Sequence, residues 1–285
     1  MKLWYSASEH GILDHSLVTT AQSSTTCRVA TYGNRLFCVY LAPDTQVVTF
    51  IGKTADTGWS APVDVVDRLP ARGTPTAFVF NDRLQVVFNA AQGESVSIRA
   101  IYDNERNDFP TQRLGVPFKG TPSFVQLDAT LHMFYVLEDS DNIAHRHSTD
   151  AVQWSRPALL KHANGSGVLS NLNPVAVVYQ GLIHVFYKAL DGNFYLTKFD
   201  GNTGWTRPRV FINDSYGHSP GAVVHNGMLN LVFSERADAA AYDLYHYRYD
   251  GNCLSPVTLS SNLAARESIG LGVLSGKLHA VYCGV

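Results

Sequence analysis

The sequence is poor in charge, and the charge it has is balanced. Charged residues make up 16% of the 285 positions, with 22 basic and 24 acidic side chains and a formal net charge of −2. Binding to nucleic acid or to an anionic membrane relies on an excess of positive charge, so neither is an expected partner. Hydrophobic residues make up 45% of the chain, which excludes a disordered tail and allows a large core.

Long apolar runs and cysteine motifs are also missing. No window approaches eighteen apolar residues, so no membrane span is predicted. The start, MKLWYSASEHG, lacks the apolar segment of a secretory signal, which favours the cytoplasm or release without a classical signal peptide. Cys27, Cys38, Cys253 and Cys283 show no Cys-x-x-Cys spacing, and we expect four reduced thiols buried as small hydrophobic groups.

A helical period is absent as well, and a repeat stands in its place. Six stretches align without gaps: TCRVATYGNRLFCVY, TPTAFVFNDRLQVVF, TPSFVQLDATLHMFY, NPVAVVYQGLIHVFY, SPGAVVHNGMLNLVF and SIGLGVLSGKLHAVY. Their anchors are Leu36, Leu84, Leu131, Ile183, Leu229 and Leu278, spaced by 48, 47, 52, 46 and 49 residues. Six copies indicate six equivalent structural units.

Each unit reads as four short strands. Two strands rich in Val, Phe and Tyr flank a tight turn such as Gly33-Asn34 or Asn226-Gly227. A third strand follows, clearest in NFYLTKFDG and DLYHYRYDG, and a fourth is predicted at GWSAP, QWSRP and GWTRP, with weaker forms DFPTQ and CLSP. Proline suits that strand because an edge strand need not donate a hydrogen bond on its outer side.

The sequence therefore predicts an all-β fold: a six-bladed β-propeller with four antiparallel strands per blade. We expect a single domain over residues 1–285, with blade cores near 26–66, 74–114, 121–160, 173–212 and 219–259. The last blade joins 268–285 to 2–20, because KLWYSAS supplies the missing third strand and ILDHSLV the fourth. Such closure removes the free edge between the first and last blades.

Function is expected on the face that carries the crossings between blades, where the loops are long and varied. Polar residues precede each innermost strand there, and two interpretations stay open. Their side chains either cap turns and bond neighbouring backbone, or form a hydrogen-bonding collar for a hydroxyl-rich ligand. These collar residues are Thr26, Thr74, Thr121, Asn173, Ser219 and Ser268.

At the position directly before each collar residue, the six copies no longer carry similar residues. His218 and Glu267 occupy equivalent places in adjacent blades, so they are a candidate acid-base pair near the axis, although titrating surface residues are the plainer explanation. Loop residues that would support such a site are Tyr216, Lys188, Glu235 and Arg266.

No metal or other cofactor is predicted. His132, His184 and His279 share one repeat position in separate blades, so packing between blades with a satisfied ring nitrogen explains them better than a shared metal. His145 and His147 lie on one side of a strand, without a third ligand in view. The acidic loops lack the dense oxygen donors of a calcium loop.

The unit SPGAVVHNGMLNLVF…DLYHYRYDG, with GWSAP or GWTRP in other copies, resembles the blade of sugar-binding β-propeller lectins over nearly the whole chain. That resemblance implies sugar pockets between neighbouring blades, with Trp59, Trp154 and Trp205 as stacking residues, unless these rings only pack the blade. Sialidases share the architecture, and STDAVQW is similar to their Asp-box turn, but it lacks the Asp-box glycine, and no tyrosine-glutamate pair can be placed beside an arginine triad.

Three functions remain open at this point. The first is a lectin whose pockets, between blades or at the channel mouth, bind a glycan or another hydroxyl-rich small molecule. The second is an enzyme with one polar pocket around His218 and Glu267, acting on glycosides or other small molecules. The third is a protein-interaction ring. Neither the oligomeric state nor the presence of catalysis follows from the sequence.

Overall fold

A computed structural model describes residues 1–9, 15–91, 96–162, 164–201, 204–212, 216–236, 242–263 and 265–284, without the side chains at 19, 20, 236, 259, 261–263 and 265–267. Over these residues the chain forms strands and no helix. The strands are β1 (Lys2–Ser8), β2 (Ser16–Gln22), β3 (Arg28–Tyr32), β4 (Arg35–Leu41), β5 (Val48–Thr54), β6 (Val63–Asp64), β7 (Ala71–Phe80), β8 (Arg83–Ala90), β9 (Ser97–Ile101), β10 (Thr111–Arg113), β11 (Lys119–Leu127), β12 (Thr130–Val136), β13 (Ile143–Ser148), β14 (Ala158–Leu159), β15 (Val175–Tyr179), β16 (Leu182–Lys188), β17 (Phe194–Phe199), β18 (Arg209–Ile212), β19 (Gly221–His225), β20 (Met228–Arg236), β21 (Tyr242–Tyr249), β22 (Leu254–Leu263), β23 (Ala265–Leu274) and β24 (Lys277–Gly284).

The strands form six separate four-stranded antiparallel sheets, which confirms the predicted six-bladed propeller. Blades 1 to 5 each consist of four consecutive strands, from β3–β6 through β19–β22. Blade 6 has the order β2-β1-β24-β23, so it combines both ends of the chain as predicted. The described residues include no helix long and apolar enough to cross a membrane.

The closing blade is joined by a full antiparallel ladder. β1 pairs with β24 without a register shift, from Lys2 opposite Gly284 to Ser8 opposite Leu278. The Met1 ammonium also donates to the Ser23 carbonyl over 2.7 Å. Because every residue of β1 has a partner on the C-terminal strand, unfolding of either end exposes the edge of the other.

The core lies between the blades. The aromatic residue that ends the second strand of each repeat is at most 1% exposed in all six blades, namely Tyr40, Phe88, Tyr135, Tyr187, Phe233 and Tyr282. Hydrophobic clusters join adjacent blades, as where Phe37 and Phe50 of blade 1 pack with Leu84 and Phe88 of blade 2. Burial of one such side chain contributes roughly 1.5–3 kcal/mol, so the seams between blades carry much of the stability.

The fourth strands of the three blades with a Trp segment begin later than predicted. The Trp-containing segments lead into the strand, and the strands themselves begin later, at Val63, Ala158 and Arg209. The reason is local: the residue after each tryptophan already pairs with the third strand. The backbone N–H groups of Ser60, Ser155 and Thr206 donate to the carbonyls of Gly52, His147 and Lys198, and their hydroxyls accept from the N–H groups of the same three residues.

The turn in STDAVQW is held by its aspartate. Asp150 Oδ1 accepts from the backbone N–H groups of Val152 and Gln153 and from the Ser148 hydroxyl, each at 2.8 Å. These hydrogen bonds hold the pKa of Asp150 below its ordinary value. Asp250 binds Asn252 and Cys253 in the same way, so this aspartate turn recurs between the third and fourth strands of blades 3 and 5.

Candidate functional site

The propeller axis is occupied by a cavity of about 430 Å³, lined by the innermost strands of all six blades. Its walls are mainly Val, Ala, Gly and Pro, with polar contributions that include Arg28, Thr31 and Thr76. Phe78 and Phe124 stack beside it with ring centroids 4.2 Å apart. Most residues of the channel wall are thus apolar, and its polar side chains are spread over three blades.

The collar residues form hydrogen bonds between blades. The Thr121 hydroxyl donates to the Thr74 carbonyl over 3.1 Å, and the Thr121 N–H donates to Asn173 Oδ1 over 2.8 Å. The Ser219 hydroxyl donates to the Asn173 carbonyl over 2.7 Å. Thr74, Thr121, Asn173 and Ser219 therefore link blades 2, 3, 4 and 5 in sequence, which favours the interpretation that they bond neighbouring backbone. Thr26 and Ser268, the remaining two, are buried.

The proposed acid-base pair stays a prediction. The side chains of Glu267 and Arg266 lie outside the described part of the chain, although their backbone belongs to β23 and Arg266 pairs with Cys283. His218 is half-buried, with its ring 6.5 Å from that of Tyr242.

The other residues assigned to that site have partners inside the protein. Tyr216 is fully buried and its hydroxyl shares a 2.8 Å hydrogen bond with that of Tyr247. Lys188 Nζ donates to the Tyr216 carbonyl over 2.6 Å, so the pair joins blade 4 to the crossing segment before blade 5. Glu235 lies near the end of β20, opposite Asp243 on β21.

The three tryptophans lie at seams between blades, each half-buried. Trp59 meets Tyr5 of blade 6 edge to face at 5.4 Å, and Trp205 meets Phe134 of blade 3 at 5.6 Å. Trp154 packs on Phe124, in a cluster shared by blades 2 and 3. The rings therefore pack the seams, and two of them also border a cavity.

The first cavity, the Trp59 pocket, has a volume of about 530 Å³ and is lined by Arg35, Gly52, Thr54, Thr57, Gly58, Trp59 and Ser60. The turn between β5 and β6 borders it, on the face opposite the crossing loops. The Arg35 guanidinium lies 5.0 Å from the Phe37 ring and donates to the Tyr102 hydroxyl over 3.4 Å. Aromatic, hydroxyl and guanidinium groups thus converge on one recess.

The second cavity, the Trp205 pocket, has a volume of about 570 Å³ and is lined by Lys161, His162, Trp205, Thr206, Arg207 and Pro208. It spans the seam, because the first two residues follow the last strand of blade 3 and the others precede β18 of blade 4. Trp205 is fixed by stacking on Phe199 at 4.6 Å. The pocket has the same aromatic and hydroxyl groups as the Trp59 pocket, with more basic side chains.

Packing between blades was predicted for the histidines at the shared repeat position. His132 and His184 each contact an aromatic ring of the next blade, Phe199 and Tyr249, while the hydrogen bonds of all three lie within their own blades. His132 Nδ1 shares a 2.9 Å hydrogen bond with His145 Nε2, and His279 binds both the Tyr5 hydroxyl and the Leu274 carbonyl. His184 Nδ1 lies 3.2 Å from the Leu182 carbonyl. Among the described residues no three His, Cys, Asp or Glu side chains are placed to hold a metal ion.

Sequence reasoning missed the basic residues of both pockets: Arg35, Lys161, His162 and Arg207. Arg207 was discoverable, because it follows Trp205 by two positions in the repeated GWTRP segment. Lys161 and His162 lie in a variable crossing segment, so no repeat position marked them.

The fold is shared with proteins of known structure. The chain superposes on the BP39L lectin of Burkholderia pseudomallei with a TM-score of 0.62 at 11% identity, covering 87% of this chain and 73% of that one. The six-bladed fungal lectin of Aleuria aurantia, described with a fucose recognition mode, gives 0.61 at 10% identity, covering 86% and 83%. An exo-β-1,3-galactanase of Phanerochaete chrysosporium gives 0.61 at 11% identity, covering 86% and 68%. No protein-family model and no curated protein sequence matches the chain.

Proposed function

We propose that this propeller is a carbohydrate-binding protein whose sugar sites are the Trp59 and Trp205 pockets. The observation that carries the proposal is that one repeated sequence element builds a similar recess in two separate blades. In both, a half-buried tryptophan stands beside a Ser or Thr and a basic side chain.

The chemistry of such a recess suits a pyranose. The indole ring offers an apolar surface to the C–H face of a sugar, and the surrounding donors bond its hydroxyls. The Thr54 and Thr57 hydroxyls, bonded to each other at 2.7 Å, stand at the rim of the Trp59 pocket. The lectin folds with which the chain superposes support the proposal, because they place sugar-binding proteins on this scaffold.

A glycan array followed by calorimetric titration of the best sugar tests this proposal. The wild-type chain is expected to bind two equivalents, Trp59→Ala and Trp205→Ala one each, and the double variant none. Trp4→Phe, which alters a tryptophan that lines neither pocket, is the control and should bind as the wild type does. Near-ultraviolet circular dichroism checks that each variant is folded. Absence of glycan binding, or unchanged binding by the double variant, contradicts the proposal.

Catalysis by His218 and Glu267 remains a separate prediction, tested by activity of His218→Ala on glycosides of the sugar identified. The location, cytoplasmic or outside the cell by a route without a signal peptide, likewise remains a prediction.

A further inference from the structure

We propose that the Trp205 pocket selects anionic saccharides, those carrying a carboxylate or sulfate, whereas the Trp59 pocket does not. This inference rests on the proposed function, because it names the class of sugar that one of the two sites takes.

The lining of the Trp205 pocket is rich in basic residues. Three of the six residues that line the Trp205 pocket are Lys161, His162 and Arg207, and none is acidic. The residues next to them in the sequence that lie outside the described part, Ala163, Asn202 and Thr203, carry no carboxylate either. Positive side chains therefore converge on the pocket from both blades of the seam.

Two of these basic residues, Lys161 and Arg207, have no counter-charge among the residues that the structure describes. Neither Lys161 nor Arg207 forms an ion pair or a side-chain hydrogen bond with any other residue that the structure describes. The neighbouring Arg209, in contrast, donates to the Tyr249 hydroxyl over 2.5 Å. Unpaired donors beside an aromatic wall are free to bind an anionic group of a ligand.

Asp191 is a carboxylate near the edge of the pocket, and it is already hydrogen-bonded within the protein. Asp191 accepts from the Tyr195 hydroxyl over 2.7 Å and from the Asn193 N–H over 3.0 Å. The Tyr195 ring lies 6.5 Å from that of His162. Asp191 therefore partly offsets His162, and Lys161 and Arg207 carry the uncompensated charge.

The Trp59 pocket provides the internal comparison. Its one lining cation, Arg35, is bonded to the Tyr102 hydroxyl, and the nearby Lys53 Nζ donates to the Thr57 carbonyl over 2.7 Å. Both cations thus have partners. The two pockets share the tryptophan and the hydroxyl, so they differ chiefly in cationic donors that are not already bonded within the protein.

The test uses the Trp59→Ala variant, in which binding reports on the Trp205 pocket alone. Three probes are titrated: methyl glucoside, methyl glucuronide and glucose 6-sulfate. We expect one or both anionic sugars to bind about tenfold tighter than the glucoside, as one charge-assisted contact would give. The preference should fall as salt rises from 0.1 M to 1 M, because the screening length shortens from about 10 Å to about 3 Å. The two anionic probes distinguish a carboxylate from a sulfate.

Lys161→Gln/Arg207→Gln on that background should remove the preference, so that the glucoside, the glucuronide and the 6-sulfate bind with affinities within about twofold of one another. Arg35→Gln, made in the Trp205→Ala background, is the matched control and should change no charge preference. Equal affinity for neutral and anionic probes, or a preference that survives the double substitution, overturns this inference and leaves the proposed function standing. Binding of no saccharide at all overturns both.

Discussion

The imidazoles of His132 and His145 stack with centroids 5.2 Å apart and share one hydrogen bond at the seam between blades 3 and 4. Phe134 covers one side of His145 with ring centroids 4.7 Å apart. From the next blade, the Phe199 ring lies 5.8 Å from His132 and 5.5 Å from His145, and the Trp205 ring lies 5.6 Å from His145. Desolvation therefore lowers the pKa of His132 to about 4 and that of His145 to about 3, with neighbouring histidines adding to the effect.

This pair makes the propeller sensitive to acid. Both folded-state pKa values lie below the ordinary value of 6.5, so below that pH the unfolded chain binds protons that the folded chain does not. The stabilisation that comes from burying the two imidazoles in the neutral form is fully present above about pH 6.5 and is lost as pH falls toward 4. At pH 5 the loss is up to about 2 kcal/mol per histidine. Urea unfolding at a series of pH values measures it.

His132→Gln/His145→Gln isolates the contribution of the pair, since glutamines keep hydrogen-bonding capacity without titrating. Its free energy of unfolding should fall less steeply between pH 7 and pH 5 than that of the wild type. Val185→Ala, which weakens the same seam without removing a ring that encloses the two imidazoles, should lower stability at every pH and keep the wild-type slope. Equal slopes in wild type and the double variant would contradict the assignment.

The collar threonine at the seam of blades 2 and 3 offers a second prediction. Thr121→Val removes the hydroxyl that donates to the Thr74 carbonyl, while keeping a β-branched side chain of similar size. We expect a loss of about 1 kcal/mol in the free energy of unfolding. Thr121→Ser retains the donor and should lose less than half as much. If the two variants were equally destabilised, packing of the methyl group would contribute as much to this seam as the hydrogen bond, which contradicts the prediction.

The fold was predictable because its signal is repeated. Six aligned hairpins and their closing aromatics specify six blades, and β1 coincides with the predicted KLWYSAS strand. The fourth strands of the three blades with a Trp segment were placed about five residues early, because the residue after each tryptophan pairs with the third strand before the ladder resumes. Local pairing of this kind does not change the hydrophobic periodicity of the sequence, so the periodicity does not predict it.

The candidate site was predictable only in part. Trp59 and Trp205 stood out because they recur, whereas Lys161 and His162 occur once and lie in a segment of irregular length. The collar residues recur as well, but repetition alone does not distinguish a ligand contact from a bond between blades. That distinction depends on where the neighbouring carbonyl lies, which is a property of the closed ring.

The seam between blade 6 and blade 1 depends on a glycine. A Cβ atom at Gly270 would lie 2.6 Å from Val29 Cγ2 and 3.1 Å from the Val29 backbone nitrogen, so the two innermost strands would have to separate. Gly270→Ala should therefore cost about 1–3 kcal/mol of stability, measured by urea unfolding. Gly217→Ala, where a Cβ meets nothing within 4 Å, is the matched control and should be nearly neutral. Val29→Ala combined with Gly270→Ala should recover part of the loss, and absence of recovery would place the strain elsewhere.

The cysteines give the last prediction, and they also correct the expectation of four buried thiols. Cys253 is exposed, whereas Cys27, Cys38 and Cys283 are fully buried at the seam of blades 6 and 1. The Cys283 thiol alone would lower the pKa of Cys27, but contact with Cys38 and burial together raise it well above its ordinary value.

The thiolate is the form of cysteine that reacts with a thiol reagent such as a chromogenic disulfide. In the folded chain the reagent should therefore label the exposed Cys253 quickly, and the three buried cysteines only as the seam opens. Cys253→Ser should abolish the fast phase and leave the slow one unchanged. The slow phase should accelerate in Gly270→Ala and keep its wild-type rate in Gly217→Ala, since opening of the closing seam is the event that exposes the three thiols. Fast labelling of more than one cysteine in the wild type would show that the seam opens freely and that ring closure contributes little to stability.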